Sequence, residues 1–249
     1  MMKSIFAALN DAALIQGLRQ HKWEGDAFRV VGAADNARDA MDGLFSCAAD
    51  ILLIDMQLSG RDGIELICGL EKRPDTVVLC SAFFNDDTAK LAAEADIDDF
   101  IMLPTDADEI ELRLLRMTDP DAAEELGRKR FHAMLREGAE KMLDELGIRS
   151  ELKGCRYLSA AIALFAAGGG KLKNSIYPRV AAMFDTSANN VERCIRHSIE
   201  TAWLKGNMSK QHEYFGYTVQ ERRGKPTNAE FIAMLSDRLK NGCNTDMLF

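Results

Sequence analysis

The chain has 249 residues, 47% of them apolar and 28% charged, which suits two ordinary soluble domains, each with its own core. No apolar run approaches the ~20 residues that span a bilayer. The amino-terminal patch MMKSIFAALNDAALIQ is broken by Asp11 and no cleavage-site pattern follows it. The net charge of −8 argues against a nucleic-acid partner only until the chain is divided. Residues 1–151 hold 17 Lys/Arg against 31 Asp/Glu, a net of −14, whereas residues 152–240 hold 14 against 7, a net of +7. A split of that size predicts two domains with different partners, the second suited to a polyanion. Six cysteines, none in a CxxC pair, read as reduced and mostly buried thiols of a cytoplasmic protein.

Five apolar runs punctuate residues 1–117: IFAAL (5–9), FRVVGA (28–33), ILLI (51–54), TVVLC (76–80) and FIML (100–103). They are continuous rather than alternating, as parallel strands covered on both faces must be. The amphipathic stretches between them are long enough for crossover helices. Five such units predict an open, doubly wound α/β sheet of the flavodoxin-like kind. Ligand chemistry in that fold sits at the carboxyl ends of the strands, here Leu9-Asn10-Asp11, Asp55, Ser81-Ala82 and Leu103-Pro104.

Residues 118–147 open with Thr-Asp-Pro-Asp and continue as charged helical repeats, which reads as a linker that becomes a helix. Phe131, Leu135, Met142 and Leu146 form a candidate stripe. Packing of that stripe on its own domain is preferred over a dimerising coil, although a homodimer through this segment or through the first domain stays open. Beyond residue 151 the strand signals vanish. Helical segments broken by Gly168-Gly169-Gly170, Tyr177-Pro178, Gly206-Asn207 and Lys225-Pro226-Thr227 predict an all-α domain over 148–240, with a tail at 241–249.

Within that domain, VAAMFDTSANNVERCIRHSIETAWL (180–204) reads as a short helix, a turn at Asp185-Thr186-Ser187 and a long helix stopped by Gly206-Asn207. Two helices joined by a tight turn are the skeleton of helix-turn-helix DNA binding. At 100° per residue, Val191, Ile195, Ile199 and Ala202 share one stripe. Asn189, Arg193, Arg196 and Glu200 share the opposite face, with His197 beside them. Arginine can bond guanine O6 and N7, and asparagine can pair with adenine, so this face suits base reading in duplex DNA. A solvated face with a Glu192–Arg196 pair at i, i+4 is the competing reading.

The strings VERCIRH, AWLKGN, FGYT and KPTNAEFIAM closely resemble the effector domain of the Spo0A family of sporulation response regulators, a likeness covering roughly residues 148–240. The resemblance implies an all-helical domain whose long helix enters the major groove. By position, Glu192, Arg193, Arg196 and His197 would lie at or near the bases. Asn189 and Asn190 fall in the turn-proximal part, where the chain is less like the family. Thr227 and Asn228 read as a helix start behind Pro226. Arg222, Arg223 and Lys225 read as phosphate-contacting loop cations.

That family carries a receiver domain ahead of the effector, and residues 1–117 resemble one. ILLIDMQLSGRDG resembles the segment holding the phosphoacceptor aspartate, which places Asp55 in that role. Ser81-Ala82 resembles the pair that senses the phosphoryl group, and Phe100 takes the aromatic switch position. The remainder departs from the pattern. Leu9 and Asn10 stand where two Mg²⁺-binding acids are expected, with Asp11 one place later, so Asp11 and Asp55 are the candidate ligands for a doubtful Mg²⁺. Leu103 precedes Pro104 where a lysine is expected. A hard cation needs oxygen ligands, and the lysine would hold the phosphoryl group as a point charge. The expectation is therefore a DNA-binding transcription regulator whose receiver is not switched by Mg²⁺-dependent phosphorylation. The alternatives are a conventional regulator phosphorylated on Asp55 through a kinase or phosphotransfer partner, and a phosphorelay or scaffold protein acting through protein contacts. No HExxH, P-loop or GxSxG motif is present, and His21, His132, His197 and His212 lack metal-ligand spacing, so no catalytic activity is expected.

Overall fold

The computed structural model describes residues 2–216 and 224–242. The chain divides between Leu126 and Gly127 into two compact units. The first contains β1 (Lys3–Ala8), β2 (Phe28–Ala34), β3 (Ile51–Asp55), β4 (Thr76–Ser81) and β5 (Asp99–Met102), joined by α1 (Ala12–Gln20), α2 (Ala37–Ser46), α3 (Gly63–Cys68) and α4 (Asp86–Glu94) and followed by α5 (Ala107–Thr118). The strands form one parallel sheet in the order β2-β1-β3-β4-β5. Side chains alternate across it. Ile5, Ala7, Leu53, Val78 and Cys80 pack on one face with Leu14 and Leu18 of α1 and Ile110 and Leu114 of α5. Phe6, Ala8, Leu52, Ile54, Val77 and Leu79 pack on the other with α2 and α3. Both faces are covered, which is why the central strands read as unbroken apolar runs. The edge strands β2 and β5 are only partly buried, although their sequences look equally apolar.

Each helix of this unit starts on an Asp or Asn whose side chain accepts backbone N–H groups: Asp11, Asn36, Asp62, Asn85 and Asp106. Such caps are worth about 1 kcal/mol each. At the start of α3, a Cβ on Gly63 would fall 2.3 Å from the carbonyl oxygen of Asp55, so only glycine lets this helix approach the end of β3.

The second unit is helical throughout its described residues. Helix α6 (Pro120–Glu145) covers most of the segment read as a linker and crosses the division between the units. Its Ala123 and Leu126 belong to the first unit's core, while Leu135, Ala139 and Leu143, together with Leu146 just beyond it, belong to the second's. Phe131 and Met142 are only partly buried beside that core. The buried stripe thus runs through the small Ala139. Helix α7 (Lys153–Ala166) is buried on nearly every side, as a helix apolar all round must be. Around it pack α8 (Tyr177–Met183), α9 (Ala188–Lys205), α10 (Met208–Phe215) and α11 (Asn228–Gly242). No helix among the described residues is long and apolar enough to cross a membrane.

Candidate functional site

Helices α8 and α9 form the two arms of a helix-turn-helix. The turn between them places Asp185 at φ 47°, a left-handed conformation that Asp tolerates better than most residues. Ser187 caps α9 by accepting the Asn190 N–H at 3.2 Å. Val191, Ile195, Ile199 and Ala202 are all buried in the second unit's core. That seats the helix and turns Asn189, Arg193, Arg196 and His197 to solvent, with Glu192 and Glu200 half-buried at the margin. Asn190 serves the turn: its amide donates to Thr186 Oγ1 at 2.9 Å and its carbonyl accepts from Arg193 at 3.1 Å. Arg196 donates to Glu192 at 2.9 Å, so the i, i+4 pair of the competing reading exists on the same face as the candidate readers.

Lys225 donates to the Glu200 carboxylate at 2.6 Å, and this bond holds that carboxyl below its usual range. One of the expected phosphate-contacting cations is therefore tethered to α9. Arg222 and Arg223 lie outside the described residues. Thr227 and Glu230 form a reciprocal capping box at the start of α11: the Thr227 N–H donates to Glu230 Oε2 at 2.8 Å and the Glu230 N–H to Thr227 Oγ1 at 3.3 Å. Asn228 donates to the Glu192 carbonyl at 3.2 Å and to the Tyr177 hydroxyl at 3.3 Å. The KPTNAEF string thus closes a helix start onto α8 and α9. Local pattern identified the cap. It gave no sign of the Asn228 bridge or of the Glu200–Lys225 tether, whose partners are 36, 51 and 25 positions apart.

At the other candidate site, Asp55 ends β3 and is 9% exposed, with Oδ1 accepting the Gln57 N–H at 3.1 Å. Ser81 ends the neighbouring β4, and its hydroxyl accepts the Phe83 N–H at 3.2 Å. The half-buried Phe100 lies against Phe84, ring centroids 4.3 Å apart. Cys80, beside Asp55 in the sheet register, is fully buried; desolvation, with the Asp55 charge adding to it, pushes its thiol up to about 12 and keeps it protonated.

The residues at the acidic-pair position are engaged elsewhere. Leu9 is buried in the core shared with α1 and α5. Asn10 bridges the β3–α3 loop, donating to the Gln57 carbonyl and accepting the Ser59 N–H at 3.1 Å. Asp11 Oδ1 caps α1, holding the amides of Ala13 and Leu14 at 2.8 and 3.0 Å. Leu103 lies against the apolar core, its N–H donating to the Ser81 carbonyl at 2.9 Å.

Residues 139–239 match the family model described as the Spo0A sporulation initiation factor C terminal, and residues 7–115 match that of the response regulator receiver domain. Among solved structures, the chain is similar to a DNA-binding response regulator of the LuxR family from Staphylococcus aureus, at 18% identity over 47% of this chain and 99% of that one, with a TM-score of 0.41. It is also similar to the response regulator DrrB of Thermotoga maritima, an OmpR/PhoB homologue, at 20% identity over 49% of this chain and 54% of that one, with a TM-score of 0.42. The receiver domain of AraT from Geobacillus stearothermophilus matches at 20% identity over 52% of this chain and 99% of that one, with a TM-score of 0.40.

Proposed function

We propose that the chain, whose residues 7–115 match the response regulator receiver domain and 139–239 the Spo0A C-terminal domain, is a sporulation-type response regulator that regulates transcription by laying α9 in the major groove while its receiver works without the usual Mg²⁺-dependent phosphoryl switch. The observation that carries the first half is the division of α9 into a buried apolar stripe and a solvent face of Asn189, Arg193, Arg196 and His197. Glu192 joins that face as a base-edge acceptor, and Lys225 meets phosphate once the duplex competes with Glu200 for its ammonium. Phosphate contacts release counterions, so affinity falls steeply with salt. Lys225→Ala in the full-length protein is expected to weaken specific and scrambled duplexes alike and to flatten the log–log salt slope by about one. Fluorescence anisotropy across a salt series reads both; a loss confined to the specific site would make Lys225 a reader.

The second half rests on how the chain spends its own residues. A receiver-type Mg²⁺ needs hard oxygen donors beside the phosphoacceptor. Leu9 offers none, Asn10 is committed to the β3–α3 loop and Asp11 to the cap of α1. The donor set beside Asp55 therefore fits the ion poorly. Leu103 supplies no cation to face phosphoryl oxygens and would have to be desolvated beside them. Losing one electrostatic partner in an active site costs about 10²–10³ in rate, and here two are missing. Regulation then acts through association or protein abundance. The exposed Phe83, Leu91 and Met102 around β4, α4 and β5 support association through the receiver.

One observation favours conventional phosphorylation instead: Asp55 and Ser81 stand at adjacent strand ends as such a reaction requires. Adding acetyl phosphate and Mg²⁺ to the full-length protein is expected to change neither its mass nor its DNA affinity. A phosphodonor-dependent gain that disappears in Asp55→Ala would establish the conventional reading.

A further inference from the structure

Helix α9 carries little of the charge that draws a protein to duplex DNA. Residues 188–205, which make up this helix, hold three Lys/Arg and two Asp/Glu, a net of +1, whereas residues 152–184 hold five Lys/Arg and no Asp/Glu. Most of the positive excess of residues 152–240 therefore stands ahead of the turn, where it attracts a polyanion without touching a base. Resting on the reading of α9 given above, we propose that Lys171, Lys173 and Arg179, at the start of α8, form a phosphate-binding patch that seats the sugar–phosphate backbone at the edge of the groove entered by α9. In a helix-turn-helix the second helix lies in the major groove while the first crosses the backbone. The start of α8 is the end of that first helix remote from the turn, and the three cations stand there.

The local structure presents these side chains from a fixed support. A Cβ on Gly169 would fall 2.4 Å from the Leu164 carbonyl oxygen, so only glycine lets the chain turn this tightly behind α7. Ser175 closes the loop: its hydroxyl donates to the Gly169 carbonyl at 2.6 Å and its N–H to the Lys171 carbonyl at 2.9 Å. The single π-type turn Leu172–Ile176 runs directly into α8, and Ile176 and Tyr177 are buried in the second unit's core. Lys171, Lys173 and Arg179 are all exposed. Tyr177 ties this end of α8 to α9, because Asn228 donates both to the Tyr177 hydroxyl, at 3.3 Å, and to the Glu192 carbonyl, at 3.2 Å. A duplex that meets α9 therefore meets the patch at a fixed spacing. Among the described residues no carboxylate is paired with any of the three cations, whereas Arg196 and Lys225 must first leave Glu192 and Glu200. Contacts of this kind position a duplex and carry no sequence information.

The test combines Lys171→Gln with Lys173→Gln in the full-length protein. Fluorescence anisotropy follows its binding to a labelled duplex carrying a family-type site and to a scrambled duplex, across a salt series. Each lost phosphate contact is expected to weaken both duplexes about fivefold near ~0.15 M salt, so the pair costs about 30-fold and flattens the log–log salt slope by about two. Arg179→Gln should flatten it by about one more. Lys171→Arg with Lys173→Arg should restore affinity and slope, since charge alone is at issue. Both lysines are exposed, so the fold persists, which a thermal melt verifies. Wild-type affinity and slope in the Gln variant would overturn the patch and leave its cations to an acidic protein surface; a loss confined to the specific duplex would overturn it as well. If Arg196→Ala still loses base preference in that case, the reading of α9 survives. A wild-type protein without preference between the two duplexes would sink the reading of α9 instead, and the slope on the scrambled duplex would still report on the patch.

Discussion

Arg196→Ala is expected to cost about 1–3 kcal/mol of binding to a specific duplex, roughly 5- to 150-fold, and to relax the preference at one base pair. Arg196 is exposed on α9, and the buried Ile195 and Ile199 on either side of it hold the helix fixed. In the proposed reading, a guanidinium there presents two parallel donors to guanine. In the free protein one of its nitrogens is bonded to Glu192, so binding exchanges a solvated ion pair for base contacts. Exposed pairs of that kind are worth at most about 1 kcal/mol, less than a good bidentate base contact, and the exchange runs toward DNA. Removing Arg196 also leaves the Glu192 carboxylate without its ion-pair partner in the field of the polyanion, which weakens every sequence. Glu192→Gln alone and combined with Arg196→Ala completes a double-mutant cycle that separates the coupling of the two residues from what each contributes by itself. Arg196→Lys should restore general affinity without the base preference, because an ammonium is a point charge and not a fork. Anisotropy titrations on a family-type site, its single-base variants and a scrambled duplex distinguish these outcomes. Equal losses on all of them would show that Arg196 only positions the duplex.

Gly154→Ala is expected to destabilise the second unit by about 1–3 kcal/mol and lower its melting temperature by several degrees. In an unobstructed helix the same change would gain up to about 1 kcal/mol. Here the new Cβ would stand 1.9 Å from Ser198 Oγ and 2.8 Å from the Cys194 carbonyl oxygen, where α7 crosses α9. Ser198 can be trimmed but the carbonyl cannot, so the cost of moving α9 outweighs the propensity gain. Ser198→Ala should therefore recover only part of the loss. Because α9 is the proposed reading helix, DNA affinity should fall together with stability. Thermal melts of the single and double variants check the ordering, and a Gly154→Ala protein as stable as the parent would contradict the crossing geometry.

Much of this molecule is legible without coordinates, because the terms involved act over a few residues. Buried parallel strands must be apolar on both faces, so each of the five runs became a strand. An apolar stripe at 3.6 spacing, a Ser cap and a Gly stop bounded α9 almost to the residue, and the same spacing gave its buried side. That Leu9, Asn10 and Leu103 stand where a receiver is expected to carry two acids and a lysine came from the resemblance, and stays part of the proposal. What remained hidden depends on groups that meet only after the chain closes on itself. Asp11 is a cap and Asn10 a loop bridge because α1 and the β3–α3 loop converge on the end of β1. Ala139 takes its place in the buried stripe of α6, fully covered by the second unit's core. The edge strands lose burial because no strand flanks them, a fact of sheet order rather than of composition. The His21–Glu111 hydrogen bond, between residues 90 positions apart, has no sequence spacing to betray it. The two are brought together by the packing of α1 and α5 on one face of the sheet, since the apolar area buried there outweighs the cost of taking a carboxylate out of water.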